Sequence, residues 1–228
     1  MAGCERIELE GHRLDLLGGL GAWLPDHKTL LIADTHFGKE ATFRRNHIPV
    51  PTGSTNGTLD SIGRMLSETG AERLIILGDM FHARSSLSAD VCEALETFFG
   101  EYQRVRMMLV LGNHDMGVGR LPSKWPIEVV SHHMIDRIRL SHHPPNAPPE
   151  DDLVICGHLH PAVRVEGRMD STGKLPCFWY SKRCLVLPAI GEFTGTHRVR
   201  PRGSDRAWMV VDENVIEYRM KRVRHPTT

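Results

Sequence analysis

Polar and apolar positions alternate over Arg6 to Leu9 and Arg13 to Leu17, around Glu10-Gly11-His12, which predicts a hairpin leading into a first buried strand over Thr29 to Ala33. From Ser54 to Thr69 the period changes to a helical one. Leu59, Ile62, Met65 and Leu66 share a face there, and Gly70 follows as a stop signal. Arg73 to Leu77 is a continuous apolar run of the kind covered on both faces, and Ser88 to Phe99 predicts a second helix with Val91, Leu95, Phe98 and Phe99 inward. Short strands follow over Arg106 to Leu111, Ile127 to Val130, Arg137 to Leu140, Leu153 to Cys156, Ala162 to Glu166 and Cys184 to Leu187. Ala207 to Val211 and Val215 to Arg219 close the series, joined by a tight turn at Asp212-Glu213-Asn214. Strands alternate with helices early and crowd together late, so the expected class is α/β, two packed sheets with outer helices.

Composition narrows the setting. With 228 residues, 40% hydrophobic and 25% charged, the chain excludes disordered, collagen-like and fibrous classes and suits a single domain over 1–228. A domain of this size buries roughly 70–75% of its unfolded surface, so a core needs neither disulfides nor a structural metal. The formal charge is zero, which excludes a polycation acting on nucleic acid as a whole. Charge is nevertheless uneven: from His197 to Thr228 eight basic residues face four acidic ones, with Arg198, Arg200, Arg202 and Arg206 in a run that phosphate contact and simple solvation explain equally well. Five scattered cysteines and an N-terminus without an apolar stretch suggest a reducing cytoplasm. Cys92, Cys156, Cys177 and Cys184 read as buried free thiols, a hairpin bringing Cys177 to Cys184 being the alternative. No run approaches the ~18 apolar residues of a membrane span.

The 14 histidines depart from ordinary usage. Five apolar runs each end in residues that bind metals: Asp34-Thr35-His36, Gly78-Asp79, Gly112-Asn113-His114-Asp115, Ser141-His142-His143 and Gly157-His158-Leu159-His160. Ligands of α/β sheets gather beyond the carboxyl ends of strands, so five such ends would converge on one cleft. The set offers imidazoles, carboxylates and an amide oxygen without a thiolate, which suits two divalent ions, manganese first and iron or zinc next. Two such ions ~3.5–4 Å apart need an anion between them, and Asp79 is the candidate.

These residues, in this order, resemble the calcineurin-like metallophosphoesterases: Asp-x-His, Gly-Asp, Gly-Asn-His-Asp, a lone His and Gly-His-x-His, over residues 34–160. The resemblance implies a four-layer αββα sandwich and a first ion held by Asp34, His36, Asp79 and His160. It implies a second ion held by Asp79, Asn113, His142 and His158, a bridging hydroxide as nucleophile, and His114, oriented by Asp115, as proton donor to the leaving oxygen. A narrower resemblance, to the PdeM-type ligase-associated DNA damage response endonucleases, rests on residues 33–39, 41–45, Ile48-Pro49-Val50-Pro51, residues 175–179 and Leu187-Pro188-Ala189. It implies phosphodiester cleavage in DNA inside a bacterial or archaeal cell, with a DNA ligase, a helicase and an exonuclease as functional neighbours. Ile190, Thr196 and His143 stand where that subgroup has Phe, Gly and Glu.

Substrate contacts are expected from His82 and Arg84, just past Asp79, and from Lys39, Arg44 and Arg45 on a cap over 37–60. Two other functions use the same ligands. One is hydrolysis of a small nucleotide, a phosphomonoester or a pyrophosphate. The other is a non-catalytic metal-binding scaffold for repair partners, which would be indifferent to the loss of His114. Residues 37–60 contain no broad apolar helix face, which argues against membrane docking.

Overall fold

A computed structural model describes residues 3–40, 53–147, 153–166, 172–192 and 194–219. The first sheet has seven strands in chain order: β1 (Glu5–Leu9), β2 (His12–Leu16), β3 (Ala22–Leu24), β4 (Thr29–Ile32), β5 (Arg73–Leu77), β6 (Arg106–Val110) and β7 (Ile127–Val130). β1 to β4 form an antiparallel meander, with Ile7 opposite Leu14 and Trp23 opposite Leu30. β4 to β7 are parallel, Ile75 lying between Leu31 and Met108. Parallel neighbours need crossovers. α1 (Ser54–Thr69) and α2 (Ala89–Glu101) lie in the first two, and α3 (Asn113–Val118) opens the third. Gly70 ends α1 at φ 65°, its N–H returning to Leu66 O.

The second sheet runs in the order β14-β11-β12-β13-β10-β9-β8, with β15 on β12 and β16 on β15. Its strands are β8 (His133–Ile135), β9 (Ile138–Leu140), β10 (Leu153–Cys156), β11 (Pro161–Glu166), β12 (Thr172–Ser181), β13 (Cys184–Val186), β14 (His197–Arg198), β15 (Arg206–Val211) and β16 (Asn214–Glu217). Alternate residues of the central strands point to opposite faces. Leu31, Ile75, Leu77, Met108 and Val110 therefore meet Leu140, Ile155, Phe178, Leu185 and Trp208 between the sheets. Leu30, Ile32, Leu74, Ile76 and Leu109 face the other way, onto Leu59, Ile62, Met65 and Leu66 of α1 and Val91, Leu95, Phe98 and Phe99 of α2.

Two mixed sheets with flanking helices match the expected α/β architecture. The described helices α1 and α2 pack on the outer face of the first sheet. Two-residue turns join β8 to β9, β12 to β13 and β15 to β16, and the second sheet carries smaller apolar clusters, Val154, Cys156, Cys184 and Val186 in one and Val163, Cys177, Val199 and Ala207 in the other. Within the expected cap, 41–52 and with it Arg44 and Arg45 lie outside the described residues, whereas Ser54 to Asp60 form the start of α1. The thiols are arranged differently from the expected hairpin pairing. β12 and β13 are joined with Ser181 opposite Cys184, which leaves Cys177 farther along β12, and Cys184 Sγ lies 3.5 Å from Cys156 Sγ on β10. No disulfide joins any of the five cysteines, and Cys92 is only half-buried.

Candidate metal centre and catalytic site

The residues that follow β4, β5, β6, β9 and β10 lie together. Asp34, His36, Asp79, His158 and His160 all adopt left-handed backbone conformations, with φ between 43° and 72°. Such a conformation costs a non-glycine residue ~1–2 kcal/mol, and strain of this kind collects at functional sites. Backbone bonds hold it in place. Asp34 N–H donates to Gly78 O at 3.1 Å, His36 N–H to Asp79 O at 3.0 Å and Phe37 N–H to Met80 O at 2.8 Å, so the β4–β5 ladder continues past its regular end. Gly112 is needed for close approach, because a Cβ there would sit 2.3 Å from Asp79 Oδ1.

Around Asp34 the ligand atoms of Asp34, His36 and His160 lie within 4.8 Å of one another. His160 Nδ1 donates to Gly195 O at 2.9 Å, which leaves Nε2 facing Asp34 Oδ1 at 3.3 Å. Asp34 Oδ2 accepts the His158 N–H at 2.9 Å. Asp34 Oδ1, both His36 ring nitrogens and His160 Nε2 are buried without a hydrogen-bond partner. Orphaned buried polar atoms are costly, and a cation among them would satisfy them together.

The second group centres on His142, whose Nδ1 donates to Leu77 O at 2.9 Å. Its Nε2 then carries a lone pair, yet it lies 3.1 Å from Asn113 Oδ1, 3.2 Å from His158 Nδ1 and 3.5 Å from Asp79 Oδ2. Lone pairs converging at this range fit a shared cation. Asp79 also lies 4.0 Å from His36 Nε2, between the two groups. The donors are nitrogen and oxygen without a thiolate, so the residues present fit two divalent ions. Burial pushes His36 down to about 3, which keeps its imidazole neutral and ligand-ready. Burial pushes the Asp79 carboxyl up, but with no ion bound a protonated His142, through its hydrogen bond and charge, and the His114 amide overcome it and hold it at about 2.

His114 stands at the rim. Its Nδ1 donates to His82 O at 2.8 Å, its ring stacks on His82 at 4.8 Å, and its Nε2 faces Asp79 Oδ2 at 4.0 Å. Asp115 does not orient it, contrary to expectation. The Asp115 carboxylate instead accepts the amides of Gly112 at 2.9 Å and Phe81 at 3.2 Å, tying the turn after β6 to the turn after β5. Asp115→Ala would strand two buried N–H groups and should lower the unfolding free energy by about 2–4 kcal/mol in urea titrations. Asp115→Asn keeps an acceptor and should lose less. Unchanged stability of the alanine variant would show that the clamp is not needed.

Of the expected substrate contacts, His82 lies at the centre, where burial lowers its pKa. Lys39 is half-buried and its charge faces Asp79, with burial lowering its pKa. Arg84 is exposed, its guanidinium beside Gly119. His143, not assigned to either ion, also lies at the site, its ring 4.2 Å from that of His158 and 4.7 Å from that of His142. The His142-His143 doublet was its only sequence signal. The orienting carbonyls of Leu77, His82 and Gly195 had none.

Residues 27–162 match the family described as calcineurin-like phosphoesterase. Among solved structures, a nuclease from Pseudomonas putida, MPE, is 31% identical, covers 94% of this chain and 100% of its own, and superposes with a TM-score of 0.81. A protein of unknown function from Aquifex aeolicus is 24% identical over 58% of this chain and 78% of its own, with a TM-score of 0.40. The phosphoesterase Yfce from E. coli is 16% identical over 81% of this chain and 88% of its own, with a TM-score of 0.38. No curated protein matches the chain. The first of these neighbours agrees with the resemblance to the PdeM-type subgroup, and the family match covers the ligand-bearing turns from Asp34 to His160. The chain is a metal-dependent hydrolase and belongs to the calcineurin-like phosphoesterase family.

Proposed function

We propose that this protein cleaves phosphodiesters in DNA as a repair endonuclease, using two divalent ions, manganese first, in the cytoplasm beside a DNA ligase, a helicase and an exonuclease. The observation that carries the reading is the meeting of two donor groups at Asp79, with the His114 ring facing the same carboxylate. Asp34, His36, His160 and Asp79 would hold one ion and Asp79, Asn113, His142 and His158 the other. When bound, such ions lower the pKa of water toward neutrality and neutralise the phosphoryl oxygens.

The chain's own residues do the rest. The Leu77 and Gly195 carbonyls fix His142 and His160 in the tautomers that present Nε2 inward. Asp79, held ionised, supplies charge between the two groups. Lys39 adds positive charge on the side where the phosphoryl oxygens arrive. In its imidazolium form His114, fixed through Nδ1, offers the Nε2 proton to the leaving oxygen. The relative named as a nuclease supports a polynucleotide substrate.

The test compares bis(p-nitrophenyl) phosphate with its monoester, on manganese-loaded and metal-stripped protein. The expected result is turnover on loaded protein only, with the diester preferred. A monoester preference would replace the DNA reading with a phosphatase of small metabolites.

A further inference from the structure

A basic track on the second sheet is left unexplained by the metal centre. From the end of β14 to Arg202 exposure alternates: Arg198, Arg200 and Arg202 face out while Val199 and Pro201 are buried. Period two places the three guanidiniums on one side, at steps of ~6.6 Å. Val199 anchors the segment, its N–H donating to Ala162 O at 2.9 Å and its side chain packed with Val163, Cys177 and Ala207. Arg164 of β11 and Tyr218 join these residues around a cavity of about 230 Å³.

The nearby Asp205 carboxylate is taken up by the Arg202 backbone N–H at 2.9 Å. Among the described residues none of Arg164, Arg198, Arg200 and Arg202 has an ion pair, and Arg164 sits directly opposite Lys174 in the β11–β12 register. Like charges directly opposed are destabilising. Arg206, which completes the run in sequence, differs. It pairs with Glu217 at 3.3 Å and lies over the Trp208 ring at 4.5 Å, so its charge serves the sheet.

The track begins at the metal centre. His197 N–H donates to His160 O at 2.9 Å, and Gly195, two residues earlier, accepts from the His160 ring. We infer that Arg198, Arg200 and Arg202, with Arg164, bind the sugar-phosphate backbone of a single-stranded nucleic acid whose scissile phosphate lies at the metal centre. A single file of alternately exposed cations matches one strand rather than two, and Tyr218 beside it offers a face on which a base can stack. The inference rests on the phosphodiester reading above and adds where the strand runs.

The experiment uses the full chain and its Arg198→Gln/Arg200→Gln/Arg202→Gln variant, with 20-nucleotide phosphorothioate DNA and RNA as slowly cleaved probes. Fluorescence anisotropy is read from 50 to 200 mM salt, and bis(p-nitrophenyl) phosphate turnover reports separately on the metal centre. The variant should bind ~10–100-fold more weakly, with the slope of log affinity against log salt reduced by about 2, since each single-strand phosphate contact contributes ~0.7. Arg206→Gln should leave that slope unchanged. Comparing the DNA and RNA arms identifies which strand is held. A parent that binds and cuts DNA while the triple variant keeps the same slope overturns the track alone. A parent that hydrolyses the small diester yet binds neither probe overturns the DNA reading and the track with it. If the substitutions weaken binding to anionic lipid vesicles but not to the oligonucleotides, the patch is a membrane surface and the inference falls.

Discussion

With the proposed two-ion centre, Asp79→Asn should abolish metal-dependent hydrolysis, by roughly 10³-fold or more, and leave at most one ion bound per chain. The substitution is nearly isosteric and removes one negative charge from the point where the two donor groups meet. Asp79 Oδ2 lies 3.5 Å from His142 Nε2 and 4.0 Å from His36 Nε2, while Oδ1 accepts the His114 amide at 2.9 Å. Two dications ~4 Å apart repel by on the order of 15–20 kcal/mol at an effective dielectric near 20. Asp34 is the other carboxylate among the ligands, and its Oδ2 is engaged with the His158 amide. An amide oxygen at position 79 cannot replace the lost attraction, so one ion should leave and the phosphoryl oxygens should lose half of their neutralising charge. Metal content by mass spectrometry and rates on the diester measure the two halves of this prediction. Two retained ions with activity within tenfold of the parent would remove Asp79 from the bridging position.

What the sequence revealed of this site, and what it hid, follow one division. Ligand types at the ends of apolar runs were legible because a fully buried parallel strand reads as continuous hydrophobics, and Ile76-Leu77 or Leu109-Val110 then give way abruptly to polar residues beside glycine. The helices over Ser54–Thr69 and Ala89–Glu101 were legible for the same reason, their apolar faces having one dominant partner. β12 was hidden because Gly173, Lys174 and Pro176 interrupt its pattern, and pairing with β11, β13 and β15 overrides that local preference. β3 and β8, three residues each, leave too short a pattern to read. Backbone groups were the deeper omission. The carbonyls of Leu77, His82 and Gly195 orient the imidazoles, and no side-chain code marks them. Asp115 misled for a related reason: its place beside His114 in sequence suggested a pair, but adjacent helical residues point apart, and the carboxylate turned to two amides.

His114→Ala should leave both ions bound and lower kcat by ~10²–10⁴-fold with KM changed little, the signature of a group acting in the transition state. The side chain is 37% exposed, so a substrate can reach it, and its backbone N–H to Asp79 survives the substitution. Metal loss is therefore not expected to complicate the reading. The size of the effect should depend on the leaving group. p-Nitrophenolate departs without a proton, whereas a deoxyribose alkoxide needs one, so the loss should approach 10²-fold on bis(p-nitrophenyl) phosphate and 10⁴-fold on DNA. Equal losses on both would make His114 a stabiliser of transition-state charge rather than a proton donor. Unchanged rates on both would strip it of any catalytic role. A scaffold that only bound metal and recruited partners would lose nothing with this ring, and a kcat deficit with full metal content separates that reading from an enzyme that cuts phosphodiesters.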